Sequence, residues 1–200
     1  LRNRIELAAR EAPEGLKHEL EAGVTEADEL LATFSALLRI ARIESGSYAA
    51  SLERIAMPVL IDDAVELYQG IAQDKDLVLV SDCDPGVSVT GDRNLLFQAV
   101  ANVLDNAIKF APHSSAIAVN AHVRGDQLRL EICDAGPGIP SSEHKRVTQR
   151  FARLDSSRSL PGSGLGLSLV EAVVGLHGGS LDFADNAPGL KVRLSLPLAI

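Results

Sequence analysis

The sequence predicts an α+β protein in which a helical hairpin precedes an α/β domain. Residues 1–46 contain no alternating, strand-like run and are rich in Leu, Ala, Glu and Arg. Beyond them, β-branched runs typical of strands take turns with amphipathic stretches typical of helices. A Ser-Gly-Ser sequence at 45–47 separates the two patterns. We therefore predict a hairpin at residues 1–46, a linker at 47–51 and the second domain at 52–200.

Composition excludes several classes of protein. The 200 residues are 46% hydrophobic and 23% charged, which is an ordinary globular composition and excludes disorder across the whole chain. The formal net charge of −8 argues against nucleic acid as a partner. Cys83 and Cys133 are too few for a disulfide framework, so we expect buried, reduced thiols. No apolar run approaches the roughly 20 residues that span a bilayer, so we expect no membrane contact by this chain.

The hairpin is predicted from a heptad pattern. Pro13 and Gly15 interrupt a first helical segment, and proline suits the first turn of a second helix. Apolar residues then recur at alternating spacings of four and three, which is typical of helices that associate. They are Leu16, Leu20, Gly23, Ala27, Leu30, Phe34, Leu37 and Ala41, and the stripe is widened by Val24, Leu31 and Leu38. A stripe this wide predicts a four-helix bundle formed by two chains through residues 1–46. The alternative is that the hairpin packs on its own domain.

The first half of the second domain is predicted from its turn residues and periodicity. Residues 52–57 resemble a strand, and a proline then opens an amphipathic helix at 58–74. A β-branched run predicts a strand at 77–80, and a turn containing Pro and Gly leads to a short strand at 87–89. An aspartate then opens a helix over residues 92–110.

The second half is predicted in the same way. Arg124-Gly125-Asp126 is typical of a hairpin turn, and Gly178-Gly179 of a helix end. The predicted elements are a hairpin of strands at 116–123 and 127–133, helices at 141–151 and 165–177, a mobile loop at 156–163, and a closing hairpin at 180–184 and 190–196.

Two segments carry polar side chains that suit a cation, a phosphate group or a base. Asn102, Asn106 and Lys109 lie at i, i+4 and i+7, on one face of a predicted helix. Amide oxygens can ligate Mg²⁺ and lysine offers charge to phosphate, although an exposed polar face is the alternative. Asp134 follows a predicted strand, where a carboxylate can accept a hydrogen bond from an adenine amino group. The glycines at 136 and 138 allow close backbone approach, although a plain turn is the alternative.

Two further segments suit phosphate. The arginines at 150, 153 and 158 suggest a polyphosphate clamp, with a solvated basic loop as the alternative. Gly162, Gly164 and Gly166 open a helix, whose free N–H groups and positive dipole end favour anions. The glycine segment follows no strand directly and lacks a Lys-Ser/Thr pair, which argues against a Rossmann unit and a P-loop.

Together and in this order, the four segments resemble the N, G1, F and G2 boxes of the sensor histidine kinases. These kinases belong to the wider Bergerat-fold group of ATP-binding proteins, and the resemblance covers essentially the whole chain. It implies a two-layer α/β sandwich with a mixed sheet of about five strands covered by about three helices. It also implies that residues 1–46 are a dimerisation hairpin truncated at its N-terminus.

The resemblance implies ATP and Mg²⁺ as ligands. Asn106 would ligate Mg²⁺ and act with Lys109 in catalysis, and Asp134 would bind the adenine amino group. Arg153 and Arg158 would lie in the lid over the nucleotide. The implied nucleotide-binding residues are Asn102, Asn106, Lys109, Phe110, Asp134, Gly136, Gly138, Ile139, Arg153, Arg158, Gly162, Gly164, Leu165 and Gly166.

Two departures from the family pattern refine the expected activity. The ATPases of this group carry a glutamate four residues before the Mg²⁺-binding asparagine, where this chain has Asn102, which cannot accept a proton at neutral pH. The resemblance therefore implies a kinase that holds ATP for another nucleophile. The family's acceptor-histidine motif is absent. His18 is followed by an acidic residue, as in that motif, but the rest of the motif does not follow. We expect the acceptor to precede Leu1, so this chain alone should not autophosphorylate.

The resemblance further implies a homodimer through residues 1–46 and a response-regulator receiver domain as phosphate recipient. The implied location is cytoplasmic, as part of a sensor that is membrane-anchored elsewhere. Two alternatives stay open. One is a non-catalytic dimerising scaffold that retains a nucleotide fold, and the other is a Bergerat-fold ATPase or serine kinase.

Overall fold

A computed structural model describes residues 14–48, 51–154 and 162–199. Three predictions lie outside the described residues. They are the helix before Pro13, the loop at 156–163 except for its last two residues, and the role of Arg158. The described residues form, in chain order, α1 (Glu14–Glu44), β1 (Glu53–Ala56), α2 (Met57–Gln73), β2 (Val78–Cys83), β3 (Ser88–Gly91), α3 (Arg93–Phe110), β4 (Ala116–Arg124), β5 (Gln127–Cys133), α4 (His144–Val147), α5 (Gly166–Leu176), β6 (Ser180–Asp185) and β7 (Leu190–Pro197).

A mixed five-stranded sheet forms one layer, with strand order β2-β4-β5-β7-β6. The β2–β4 pair is parallel and the other three pairs are antiparallel. Strands β1 and β3 form a separate antiparallel pair. Helices α2, α3 and α5 form the second layer and bury one face of the sheet. This architecture confirms the predicted two-layer sandwich of about five strands and three helices.

Helix α3, which carries the predicted asparagines and lysine, is fixed at its start by Asp92. One Asp92 carboxylate oxygen accepts hydrogen bonds from the N–H groups of Asn94 (3.0 Å) and Leu95 (3.1 Å). The Asp92 N–H donates to Nε2 of His177 at 2.9 Å, while Nδ1 of His177 lies 2.7 Å from the Val173 carbonyl oxygen. These contacts assign the His177 proton to Nδ1 and tie α3 to α5. The prediction of a helix from Asp92 to Phe110 is confirmed.

Three predicted boundaries were wrong. Met57 begins α2 rather than ending the first strand, because Pro58 sits in the first helical turn. Strand β2 continues to Cys83, since parallel pairing with β4 carries it through its polar residues. The helix predicted at 141–151 is a 3₁₀ turn at Ser141–Glu143 followed by α4, which ends at Val147.

Within the described ranges, helix α1 docks on the second domain through its C-terminal end. Ile40 and Ile43 are buried there, and α1 contacts α5. Arg39 hydrogen-bonds Gln98 of α3, and Glu44 forms an ion pair with Arg150. Large apolar residues elsewhere on α1 are 48–65% exposed, namely Leu16, Leu30, Leu31, Phe34 and Leu38. None of the helices in the described ranges is both long and apolar enough to cross a membrane.

Candidate functional site

A cleft of about 240 Å³ lies between α3, the end of β5 and the segment that leads into α5. The predicted site residues that line it are Asn102, Asn106, Lys109, Phe110, Asp134, Gly138, Ile139, Arg153, Gly162, Gly164 and Gly166. The fold therefore brings all four sequence segments to one place, although they span more than 60 residues of the chain.

Two predicted residues do not line this cleft. Gly136 lies beside it, where an added Cβ would stand 2.8 Å from the Phe110 carbonyl oxygen. Leu165 is 1% exposed and belongs to the hydrophobic core. Its carbonyl oxygen accepts hydrogen bonds from the Ser168 hydroxyl and the Leu169 N–H, so the residue starts α5 from beneath the cleft.

The Asp134 carboxylate is held by backbone groups from two sides. It is 5% exposed, and its Oδ1 accepts hydrogen bonds from the N–H groups of Gly136 (2.7 Å) and Leu190 (3.2 Å). Burial raises the pKa of Asp134 despite these two donors, which act in the opposite direction. The site thus keeps a costly buried carboxyl group on the cleft wall, which is typical of a functional position.

The β6–β7 turn holds the backbone of Asp134 in place, and no feature of the sequence predicts this contact. Asn186 Nδ2 donates to the Asp134 carbonyl oxygen at 2.8 Å. Gly189 has a φ of +117°, and a Cβ there would stand 1.8 Å from the same oxygen. From the sequence, this turn is predicted only as a hairpin connection. Its contact with Asp134 could not be predicted, because the two segments are more than 50 residues apart.

The polar face of α3 meets the start of α5. Asn102 Nδ2 donates to the Gln98 carbonyl oxygen at 2.9 Å, which fixes the amide orientation. A Cβ on Gly166 would stand 3.3 Å from Asn102 Oδ1 and 3.6 Å from Asn106 Nδ2. Glycine at this position therefore leaves room between the two amides and the first turn of α5.

Two cations converge at the other end of the cleft. Lys109 Nζ lies 2.9 Å from the position of a Cβ on Gly162, and Arg153 Nη1 donates to the Gly162 carbonyl oxygen at 3.0 Å. Burial lowers the pKa of Lys109, and the nearby Arg153 guanidinium lowers it further. Two like charges held together in this way favour an anion between them.

Asp105 also lines the cleft, although it is not among the residues predicted from the sequence. Burial raises the pKa of Asp105, while Lys109 one turn away opposes that shift. An acidic residue on an amphipathic helix is usually a solvated surface charge, so nothing in the sequence marks Asp105 as a residue of the cleft.

Comparisons with known proteins agree on one family. The family described as "Histidine kinase-, DNA gyrase B-, and HSP90-like ATPase" matches residues 91–200. The kinase/phosphatase MprB of Mycolicibacterium smegmatis is 36% identical over 185 residues, which cover 87% of this chain and 36% of MprB. The sensor-like histidine kinase SenX3 of the same organism is 28% identical over 194 residues, which cover 96% of this chain and 50% of SenX3.

Solved structures give the same result. A mycobacterial sensor histidine kinase MprB structure is 38% identical with a TM-score of 0.64, covering 74% of this chain and 97% of that one. Full-length ShkA in complex with AMPPNP shares the fold at 22% identity and a TM-score of 0.82, covering 94% of this chain and 40% of that one. The chain spans about half or less of the length of the curated relatives described above. It belongs to the histidine kinase-, DNA gyrase B-, and HSP90-like ATPase family, as an ATP-binding domain of the sensor histidine kinase type.

Proposed function

We propose that this chain is the catalytic core of a sensor histidine kinase, which holds Mg-ATP for attack by a histidine outside the chain. The convergence of buried Asp134, the two α3 asparagines and the Lys109–Arg153 pair on one cleft carries this proposal. In the transfer, an imidazole nitrogen forms a bond to the γ-phosphorus, the bond to the bridging oxygen breaks and ADP leaves. A response-regulator aspartate would then accept the phosphoryl group.

The adenine end of the nucleotide is assigned to Asp134. Among the described residues, both hydrogen bonds to the carboxylate fall on Oδ1, which leaves Oδ2 to accept from an exocyclic amino group. Apolar side chains of Phe110, Ile132 and Ile139 line the same cleft and supply flat or branched surface for a base. A polar group on an apolar wall is the combination that orients a base.

The phosphate end is assigned to Lys109, Arg153 and the start of α5. The two cations lie beside Gly162, and the 11-residue α5 presents its N-terminal N–H groups near Gly166. These groups would position the γ-phosphoryl and neutralise its charge, which is most of what a protein contributes to phosphoryl transfer.

The residues present fit a magnesium ion that is held chiefly by phosphate. The described ranges contain no group of three or more acidic, His or Cys side chains able to form a metal cage. Mg²⁺ typically takes one or two protein ligands together with phosphate oxygens and water. Asn106 lines the cleft and offers an amide oxygen, and the ion when bound would neutralise phosphate charge.

An ATPase is the second candidate, and Asp105 is the observation that favours it. Asn102 cannot act as a general base, but the Asp105 carboxylate lines the cleft and could accept a proton from water. We rank this candidate second, because the position four residues before Asn106, where the ATPases that this chain resembles carry their glutamate, is Asn102.

Steady-state phosphate release separates the two candidates. With Mg-ATP and this chain alone, we expect almost no inorganic phosphate, because Asn102 stands where the ATPases carry their glutamate and the family's acceptor-histidine motif does not occur in the sequence. The Asp105→Asn variant should release as little as the parent chain. Brisk release that Asp105→Asn abolishes would instead establish the ATPase.

We also propose that two chains associate through α1 and the segment before it. Leu30, Leu31 and Phe34 are more than half exposed on one helix, which is a large apolar surface for a single chain to leave in water. The alternative, in which the hairpin packs on its own domain, is supported for the C-terminal part of α1, where Ile40 is buried. A response-regulator partner and a cytoplasmic location remain predictions from the family resemblance.

Sedimentation velocity tests the dimer. Phe34→Glu, at a side chain 58% exposed on α1, should shift the chain from dimer to monomer because it places a charge in the interface. Leu67→Glu on α2, at a side chain 59% exposed, is the matched control and should leave the dimer intact. A monomeric parent chain would refute the proposal.

A further inference from the structure

The end of α3 is closed by a residue from elsewhere in the chain, Lys75. This lysine lies in the turn between α2 and β2, more than 30 residues before the end of α3. Its ammonium group donates hydrogen bonds to the carbonyl oxygens of Ile108 (2.8 Å), Lys109 (3.0 Å) and Ala111 (2.7 Å). One ammonium group has three donors, so Lys75 is fully used by this single task.

This contact replaces the usual helix ending. The last four carbonyl groups of a helix lack partners within it, and a glycine in the left-handed conformation commonly supplies the cap. Here Ala111 is extended and Pro112 follows, so that cap cannot form. The Ala111 N–H satisfies the Ala107 carbonyl at 2.8 Å, and Lys75 satisfies the next two. A cation also complements the negative end of the helix dipole.

The residues at this helix end face both ends of the cleft. Lys109 Nζ reaches the Gly162 side, where we place the phosphates. The Phe110 side chain lines the cleft, and the Phe110 carbonyl oxygen lies against Gly136 in the loop after Asp134. A change in the last turn of α3 would therefore move groups at both ends of the proposed nucleotide site.

We propose that Lys75 is a positioning residue for nucleotide binding, acting by fixing the last turn of α3 so that Lys109 and Phe110 face the ligand. Lys75 itself does not line the cleft. The proposal rests on the proposed nucleotide site, and it extends that site to a residue that no glycine or asparagine motif contains. Its alternative is a lysine that stabilises the fold without affecting the ligand.

Calorimetric titration with a non-hydrolysable ATP analogue and Mg²⁺ tests this role. We expect Lys75→Met to weaken binding about tenfold, measured at a temperature where circular dichroism shows each protein fully folded. Lys75→Arg, which keeps a cationic donor, should bind within about threefold of the parent chain. Lys17→Met is the matched control, because Lys17 lies on the exposed side of α1 beside Glu21, and its affinity should equal that of the parent.

Amide hydrogen exchange supplies a second readout. The N–H of Ala111, which bonds to Ala107, should exchange faster in Lys75→Met than in the parent chain, because the last turn is released. If Lys75→Met does not fold, Lys75→Gln replaces it and should show a smaller loss of affinity. Binding within twofold of the parent by a folded Met or Gln variant would overturn the proposal. Absence of binding by the parent chain would instead refute the nucleotide site.

Discussion

Replacing Asp134 with asparagine is expected to weaken binding of an ATP analogue about 100-fold, or roughly 2.7 kcal/mol. Asparagine keeps an oxygen that can accept from the Gly136 and Leu190 N–H groups, so the loop should stay in place. Its NH₂ group would then take the place of the carboxylate oxygen that faces the adenine amino group. Two donors would meet with no acceptor between them, which leaves both unsatisfied in a buried site.

The same substitution should not weaken the fold. Burial raises the pKa of Asp134, so the folded protein favours the neutral carboxyl group relative to the unfolded chain. That contribution is present at low pH and is lost as pH rises through the raised pKa, so a neutral amide should be no less stable at pH 7. Urea denaturation of both proteins checks this. Loss of affinity together with loss of stability would indicate that Asp134 is structural, and unchanged affinity would remove it from the site.

Replacing Gly189 with alanine is expected to destabilise the protein by more than about 3 kcal/mol. The new Cβ would stand 1.8 Å from the Asp134 carbonyl oxygen, and its nearest neighbours are backbone atoms of Asp134 and Ala135, which cannot rotate away as a side chain could. Gly125→Ala is the matched control, because Gly125 also has a positive φ (+65°) but nothing lies within 4 Å of its Cβ position. The control should lose about 1 kcal/mol from backbone strain alone.

Urea denaturation of the two alanine variants measures the difference. Comparable losses at Gly125 and Gly189 would show that the β6–β7 turn can move away from Asp134 at little cost. The contact between that turn and the cleft would then contribute nothing to how Asp134 is held. A much larger loss at Gly189 supports the close approach.

Local signals made much of the site predictable. Asp92 is a strong helix cap, and Asn102, Asn106 and Lys109 recur at helical spacing, so sequence alone placed α3 and its polar face. The glycines at 162, 164 and 166 indicated close approach in the same way. Each of these signals lies within one turn or one loop of the residue that it describes.

The site residues that could not be predicted from the sequence contact residues far away along the chain. Lys75 caps a helix that ends 35 positions later, and Asn186 bonds a carbonyl 52 positions earlier. Neither has a distinctive neighbour in the sequence. Leu165 shows the converse, because a glycine-rich pattern does not tell which side chain within it turns into the core. The predicted helix does not reach Phe151, whose N–H bonds to the Gly164 carbonyl oxygen, a contact that no local periodicity reveals.

The central claim is that this chain holds Mg-ATP in the cleft between α3 and α5. Calorimetric titration of the chain with ADP and with a non-hydrolysable ATP analogue, each with and without Mg²⁺, tests it most directly. We predict binding in the micromolar range or tighter that depends on Mg²⁺. Absence of binding at millimolar nucleotide would contradict the claim and would favour a scaffold that retains the fold without the ligand.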